Sequence, residues 1–135
     1  MQKQDWKKHS KSNKLHHISF KYAYKGLKTA FKTQPNFRVH TVALVCLITI
    51  STILKNYLTY TDFVALIIVS SLVFTAELFN TAIEFLGDAV AKNKYNKNVG
   101  KAKDIASGAV LLATLFAILV GLIILLPAII DFLAL

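Results

Sequence analysis

Cysteine, proline and acidic residues are scarce in this chain: among 135 residues there are one cysteine, two prolines and seven Asp or Glu. The single cysteine, Cys46, excludes an internal disulfide, and its apolar neighbours predict a small packing residue. Nothing in the sequence resembles a zinc cluster, and His16 and His17 are interpreted as interfacial residues. The patterns Gly-x-x-x-x-Gly-Lys-[Ser/Thr] and Gly-x-Gly-x-x-Gly are absent too, so any nucleotide would have to be held by other means.

The N-terminal region also lacks the features of a cleavable signal peptide. Its first 38 residues are basic and polar, without an apolar core followed by small residues. We expect residues 1–14 to form a disordered basic arm and residues 15–135 to form one domain, the most that this length allows. Trp6 in the arm could touch lipid headgroups or remain exposed.

Long apolar runs dominate the rest of the chain, which has a mean hydropathy of +0.51. Ile105–Ile130 contains no charged residue over 26 positions, more than the roughly 20 needed to cross a bilayer. Val39–Leu54 and Phe63–Ala76 are further runs without Asp, Glu, Lys or Arg. An alternative is a soluble bundle of three buried helices. The pattern favours an all-α membrane protein with three transmembrane helices near residues 37–55, 62–87 and 104–131.

The net charge of +9 is unevenly placed. Ten of the 16 Lys and Arg fall in residues 1–38 and five in residues 92–103, whereas only Lys55 lies between the first two predicted spans. By the positive-inside rule, both basic segments and the N-terminus should be cytoplasmic, with the 55–62 turn and the C-terminus outside. This distribution favours a membrane partner over nucleic acid.

Residues 15–33 predict an amphipathic helix that lies in the membrane interface. Apolar residues and lysines repeat at helical spacing on opposite faces, as in helices whose lysines reach anionic headgroups. The segment 34–38 should break this helix at Pro35, because proline removes a backbone donor and restricts the preceding residue. The two faces comprise Phe20, Ala23, Tyr24, Leu27, Ala30 and Phe31 against Lys21, Lys25, Lys28 and Lys32.

A polar stripe interrupts the second apolar span. Glu77, Asn80, Glu84 and Asp88 are spaced by three, four and four residues, so they share one helix face. Carboxylates at bilayer depth are costly and usually functional. The deeper Glu77 suits a proton acceptor, and the shallower carboxylates suit a hard cation such as Mg²⁺.

The third span begins near a Lys103-Asp104 pair that follows a cytoplasmic loop at residues 89–103. Lys101 and Lys103 could neutralise phosphates brought by a metal. The small residues 106–109 are interpreted as helix-packing positions. Pro127 and Asp131 are expected only to end the helix.

These motifs resemble those of the small prokaryotic diacylglycerol kinase and undecaprenol kinase family. The resemblance covers roughly residues 15–125 and rests on three segments. They are Glu77-Leu-Phe-Asn-Thr-Ala-Ile-Glu84 with Asp88, Gly100-Lys-Ala-Lys-Asp104-Ile-Ala-Ser107, and Tyr24-Lys-Gly-Leu-Lys-Thr-Ala-Phe31 with Asn36-Phe-Arg38-Val-His40.

The resemblance implies a homotrimer in the bacterial cell membrane that uses MgATP to phosphorylate a lipid hydroxyl. By position, Glu77 matches the general base and Asn80 its neighbour at the lipid hydroxyl. Glu84 matches a metal ligand that also contacts ATP, and Gln34 stands where the family has a second metal-binding glutamate. Residues matched to the ATP site are Tyr22, Glu84, Lys103 and Asp104, and those matched to the lipid or to catalytic support are Lys25, Arg38, Asn80, Asp88 and Ser107.

The lysine-rich arm and the segment 36–40 look like the Gram-positive branch, which favours undecaprenol as the acceptor, with diacylglycerol as the alternative. Two other functions fit the stripe. A polar network could merely specify assembly, and a proton-coupled transporter could use one deep glutamate. A transporter would need neither the basic surface helix nor the Lys-Asp pair.

Overall fold

The computed structural model describes residues 20–92 and 94–134, which form four α-helices and one short 3₁₀ turn. Residues 1–19 lie outside this part, and with them the basic arm, Trp6, His16, His17 and the first residues of the predicted surface helix. The helices are α1 (Phe20–Thr33), α2 (Pro35–Ile53), α3 (Tyr60–Ala91) and α4 (Lys97–Leu133), with the 3₁₀ turn at Lys55–Tyr57.

Local sequence signals account for the starts of the helices. Pro35 occupies the first turn of α2, where its missing N–H costs nothing, and Gln34 before it is extended. Thr59 and Asp62 form a reciprocal capping box at the start of α3: Asp62 N donates to Thr59 Oγ1 at 3.3 Å and Thr59 N donates to Asp62 Oδ2 at 2.8 Å. Asn96 caps α4 by accepting hydrogen bonds from the Asn98 and Val99 amides.

The prediction of three membrane-crossing helices is confirmed, since α2, α3 and α4 are long and apolar enough to span a bilayer. α3 and α4 are longer than predicted, at 32 and 37 residues or about 48 and 55 Å. Consequently the predicted loop 89–103 shrinks to a short connection after Ala91, where Lys92 adopts a left-handed conformation (φ 49°).

Two smaller predictions are wrong. Pro127 lies inside α4, which continues to Leu133, so it does not end the helix. Cys46 is exposed on α2 and does not pack within the chain.

α1 behaves as the pattern predicted for a surface helix. Ala30 alone among its residues is buried, and the aromatic and leucine side chains of its apolar face remain exposed. An aromatic contact helps to tie α1 to the spans: the Phe31 ring packs edge-on against Phe37, with centroids 6.5 Å apart. An apolar face open along its length suits a helix that rests in lipid.

α3 and α4 pack closely near the end where they are joined. Gly87 makes this possible, because a Cβ atom at its position would lie 2.9 Å from Val99 Cγ1 and 3.4 Å from Lys103 Cε. Two helix backbones approach most closely where one of them lacks a side chain. The approach also brings Lys103 of α4 beside Asp88 of α3.

Replacing Gly87 with alanine tests this contact. We expect Gly87→Ala to lower the thermal stability of the detergent-solubilised protein, because overpacking costs about 1–3 kcal/mol and exceeds the gain in helix propensity. Gly100→Ala is the control, since a Cβ atom at that position would meet nothing within 4 Å. Equal melting temperatures for the two variants would contradict the close approach at Gly87.

Candidate active site

Glu77 is the most deeply buried large side chain among the described residues, with 1% of its surface exposed. Both of its carboxylate oxygens lack a hydrogen-bond partner in the described part of the chain. Asn80, one turn later, is 4% exposed, and its Oδ1 atom also has no hydrogen-bond partner among the described residues. Because buried polar groups normally find partners, these atoms are positioned for something that binds between the helices.

Glu84 lies between two amide side chains. Gln34 Nε2 donates to Glu84 Oε2 at 3.0 Å, and Asn80 Nδ2 donates to Glu84 Oε1 at 3.2 Å. Gln34 is the single non-helical residue between α1 and α2, so the proline break brings the end of the surface helix to the polar stripe. The structure thus brings the two residues matched to the metal, Gln34 and Glu84, together with Asn80, which was matched to the lipid hydroxyl.

This cluster is compatible with one hard cation. Within the described residues, no three His, Cys, Asp or Glu side chains converge as a ready-made metal cage. However, the Glu84 carboxylate has two adjacent amides that each carry a carbonyl oxygen, and Asn80 Oδ1 is buried without a partner. Mg²⁺ is commonly held by one or two carboxylates together with substrate phosphates and water. Glu84, aided by Gln34 and Asn80, would hold it on the protein side.

A cavity of about 260 Å³ opens beside Glu77 between α2, α3 and α4. Glu77, Asn80 and Ser107, which the sequence assigned to the site, all line it. The same cavity is lined by three polar residues that were not assigned: Asn36, His40 and Thr114. Asn36 and His40 are four residues apart on α2, and this helical spacing was the available sequence signal.

Asp88 and Lys103 form an ion pair at the end of the stripe, with Nζ and Oδ1 2.5 Å apart. The pair is partly exposed, so its contribution to stability is modest. Asp104 is exposed and meets Ser107 through its backbone carbonyl, which accepts from Ser107 Oγ at 3.0 Å. Lys103 is therefore adjacent to the stripe, and Asp104 follows it on α4, one turn before the cavity-lining Ser107.

The predicted site residues on α1 and early α2 lie apart from this cavity's lining. Tyr22 is 71% exposed, and Lys25 Nζ lies 5.9 Å from the centre of its ring, a cation–π arrangement. Arg38 Nη1 donates to the carbonyls of Phe31 and Lys32 and so caps the C-terminal end of α1. In the single chain, Arg38 has a structural role.

Comparison with known proteins identifies the family. The sequence profile described as "Prokaryotic diacylglycerol kinase" matches residues 21–125, which include every side chain of the site. The chain belongs to this family. Relatives in it include a diacylglycerol kinase from Synechocystis, 41% identical over 84% of this chain, and an undecaprenol kinase from Bacillus subtilis, 32% identical over 81% of it. A diacylglycerol kinase from Escherichia coli is 32% identical over 77% of the chain.

The chain spans 64% of the length of the Synechocystis relative, 86% of the B. subtilis enzyme and 83% of the E. coli enzyme. Membership in the diacylglycerol kinase family confirms the resemblance inferred from the sequence and supports an ATP-dependent lipid kinase embedded in a bacterial membrane.

Exchanging Gln34 for glutamate tests the cation site without an activity assay. In Gln34→Glu, the amide donor to Glu84 becomes a second carboxylate. Because the two acids repel each other, the melting temperature of this variant should fall when a chelator removes divalent cations. Added Mg²⁺ should restore it, because the ion bridges the two acids. Gln34→Ala is the control: it loses the hydrogen bond but gains no ligand, so Mg²⁺ should raise its stability no more than that of the unaltered chain. Equal Mg²⁺ responses in both variants would exclude Gln34 from the site.

Proposed function

We propose that this protein transfers the γ-phosphate of ATP to the hydroxyl group of a membrane lipid, with Glu77 as general base. The supporting observation is the buried carboxylate of Glu77 on the membrane-spanning helix α3. Both of its oxygens lack a partner among the described residues, and it borders an open cavity between α2, α3 and α4. Such a group is expensive to hold in a membrane helix and has no structural partner among the described residues.

In this proposal the lipid alcohol enters the cavity from the bilayer and places its hydroxyl at Glu77. The carboxylate accepts the hydroxyl proton as the lipid oxygen attacks the γ-phosphorus, and the bond to the β-phosphate oxygen breaks to release ADP. Asn80 and Ser107 line the same cavity and would orient the hydroxyl. Apolar walls from Val110 and Leu111 would exclude water from the base.

The nucleotide would approach from the end of α3 that carries Glu84 and Asp88. Mg²⁺, when bound with ATP, would offset phosphate charge near Glu84. Tyr22 on α1 and the Lys103-Asp104 segment on α4 would hold the nucleotide itself, and Lys25 on α1 would support the lipid substrate or the catalytic centre. The ion pair with Asp88 orients the Lys103 side chain. It would thereby set the position at which the Lys103 ammonium group meets a phosphate of the nucleotide. Arg38, by capping α1, would support the catalytic centre indirectly.

We further propose that the protein works as a homotrimer with its N-terminus and active site in the cytoplasm. The trimer is implied by the family resemblance, and burial of the polar stripe away from lipid would be a physical reason for it. One chain already buries Glu77 and Asn80, so that reason does not hold for the deepest residues. The apolar side chains that α2 and α4 leave exposed add no support, because lipid covers them as well as a partner chain would, so the trimer is proposed on the family resemblance.

Glu77→Gln provides the direct test of the base. The substitution keeps the size of the side chain but removes the proton acceptor, so the kcat for lipid phosphorylation should fall by at least about 100-fold. Labelling of lipid from γ-labelled ATP is the measurement, and ATP binding should be retained. Asp131→Asn, which removes an exposed acid near the other end of α4, is the control and should keep full activity. Near-normal turnover in Glu77→Gln would overturn the assignment.

The acceptor lipid is the finer part of the proposal. The sequence features of the Gram-positive branch favoured undecaprenol, and the B. subtilis relative carries that name. The Synechocystis relative, with 41% identity, and the E. coli relative are both named diacylglycerol kinase. The greater identity to a diacylglycerol kinase leads us to propose diacylglycerol as the preferred acceptor, with undecaprenol as the second candidate.

A competition assay decides between the two lipids. Purified protein in nanodiscs receives both lipids at equal mole fraction with MgATP, and the two phosphorylated products are separated. We expect phosphatidic acid to predominate. A hydrophobic pocket distinguishes apolar chains by about 10- to 200-fold, and we expect a product ratio of that order. A predominance of undecaprenyl phosphate would reverse the choice of acceptor but leave the lipid kinase proposal intact.

A further inference from the structure

The cavity beside Glu77 contains a second group that can carry charge. Of the eight described residues that line it, only Glu77 and His40 have ionisable side chains. His40 comes from α2, on the opposite wall from α3, and it is partly buried. It was not among the functional residues expected from the sequence.

Two of the other donors around the cavity are already engaged, whereas the Thr114 hydroxyl is buried without a partner among the described residues and the Asn36 amide also lines the cavity. The Asn80 amide donates to Glu84, and the Ser107 hydroxyl donates to the Asp104 carbonyl. The cations nearest to the site in sequence are engaged as well, since Arg38 caps α1 and Lys103 pairs with Asp88. In contrast, no hydrogen bond to another described residue occupies the His40 imidazole.

Aromatic packing fixes the position of His40. Its ring lies edge-on to Phe74, with centroids 6.5 Å apart, and Phe74 also packs against Phe37 at 5.2 Å. Phe74 precedes Glu77 by three residues, so the two side chains project from the same face of α3. The packing that anchors the imidazole therefore lies one helical turn from the carboxylate.

The surroundings of His40 leave Glu77 as its natural partner. On its other side the ring borders a smaller cavity of about 100 Å³, whose further described lining residues from α2, α3 and α4 carry no charge. Glu84 is held by two amides, whereas both Glu77 oxygens are buried without a donor. Besides the neutral groups of Asn36 and Thr114, His40 is the one described residue of the cavity lining whose side chain can become a cationic donor to a desolvated anion.

We propose that His40 is a positioning residue for the general base. The two side chains line one cavity but no hydrogen bond joins them in this structure, so the imidazole would turn to donate an N–H to the Glu77 carboxylate and direct it into the cavity before the lipid hydroxyl arrives. This inference rests on the proposed lipid kinase function. It adds α2 to the catalytic machinery, because the base on α3 would depend on a donor from the neighbouring helix.

Three α2 variants test the proposal in a lipid kinase assay. In His40→Leu the kcat should fall about 10- to 100-fold, the effect of losing a hydrogen bond to a charged group, while the KM for MgATP stays unchanged. His40→Gln keeps a side-chain N–H and should recover a substantial part of the rate. Thr41→Val is the control, because the Thr41 hydroxyl bonds only the Phe37 carbonyl within α2 and lies outside the cavity lining.

A double-mutant cycle separates positioning from packing. Glu77→Asp shortens the base and withdraws it from His40. Adding His40→Leu to that variant should therefore lower its kcat by less than about threefold. The proposal would be overturned if the fold-losses in kcat of the two single variants multiplied in the double variant. A kcat for His40→Leu within twofold of the unaltered protein would also overturn it. Equal losses in His40→Leu and His40→Gln, matched by equal drops in melting temperature, would also overturn it by showing a packing role. If the unaltered protein phosphorylates no lipid, the function itself fails, which is a different result from normal turnover in His40→Leu.

Discussion

The organisation of the molecule depends on the cost of placing carboxylates in an apolar helix. α3 carries three acids on one face, and each is accommodated differently along its length. Asp88 at the end is paired with a lysine and is largely exposed. Glu84, one turn inward, is covered by two amide donors. Glu77, furthest in, is enclosed by neighbouring helices without a partner among the described residues. The least satisfied acid is thus the most deeply buried one, which is the opposite of what stability alone would favour.

The break between α1 and α2 links the membrane surface to this gradient. Pro35 stops α1 and starts α2, and the single extended residue between them, Gln34, reaches Glu84 on α3. Arg38 then ties the new helix back to the end of α1. Because these contacts are close to one another, the surface helix cannot shift far without disturbing the amide that covers Glu84. Lipid packing around α1 and the electrostatics of the site are therefore mechanically connected.

Much of the fold and part of the site could be predicted from local sequence. Hydrophobic run length predicted the three spans, lysine spacing predicted the surface helix, and the 3-4-4 spacing predicted the polar stripe. The ends of α3 and α4 were missed because the polar turns that extend them, around Asp88 and Gly100, resemble loop sequence. Their helical state depends on the Asn96 cap and on the close approach at Gly87. His40 was missed as a site residue because it lies on a different helix from Glu77, and a contact between two helices has no local signature.

The amide at position 34 affects the charge of the whole site. With Gln34 in place of a carboxylate, the Glu84 cluster has one negative charge held by two neutral donors. The number of carboxylate ligands sets much of a site's affinity for a divalent cation. A cation at this site would therefore depend less on protein ligands and more on the phosphates that accompany it. The lysines of α1 face solvent, and they can neutralise phosphate only when the nucleotide has already arrived. Binding of nucleotide and binding of metal should therefore be strongly interdependent in this chain, because neither the acid pair nor a preformed cage is present among the described residues to hold the ion alone.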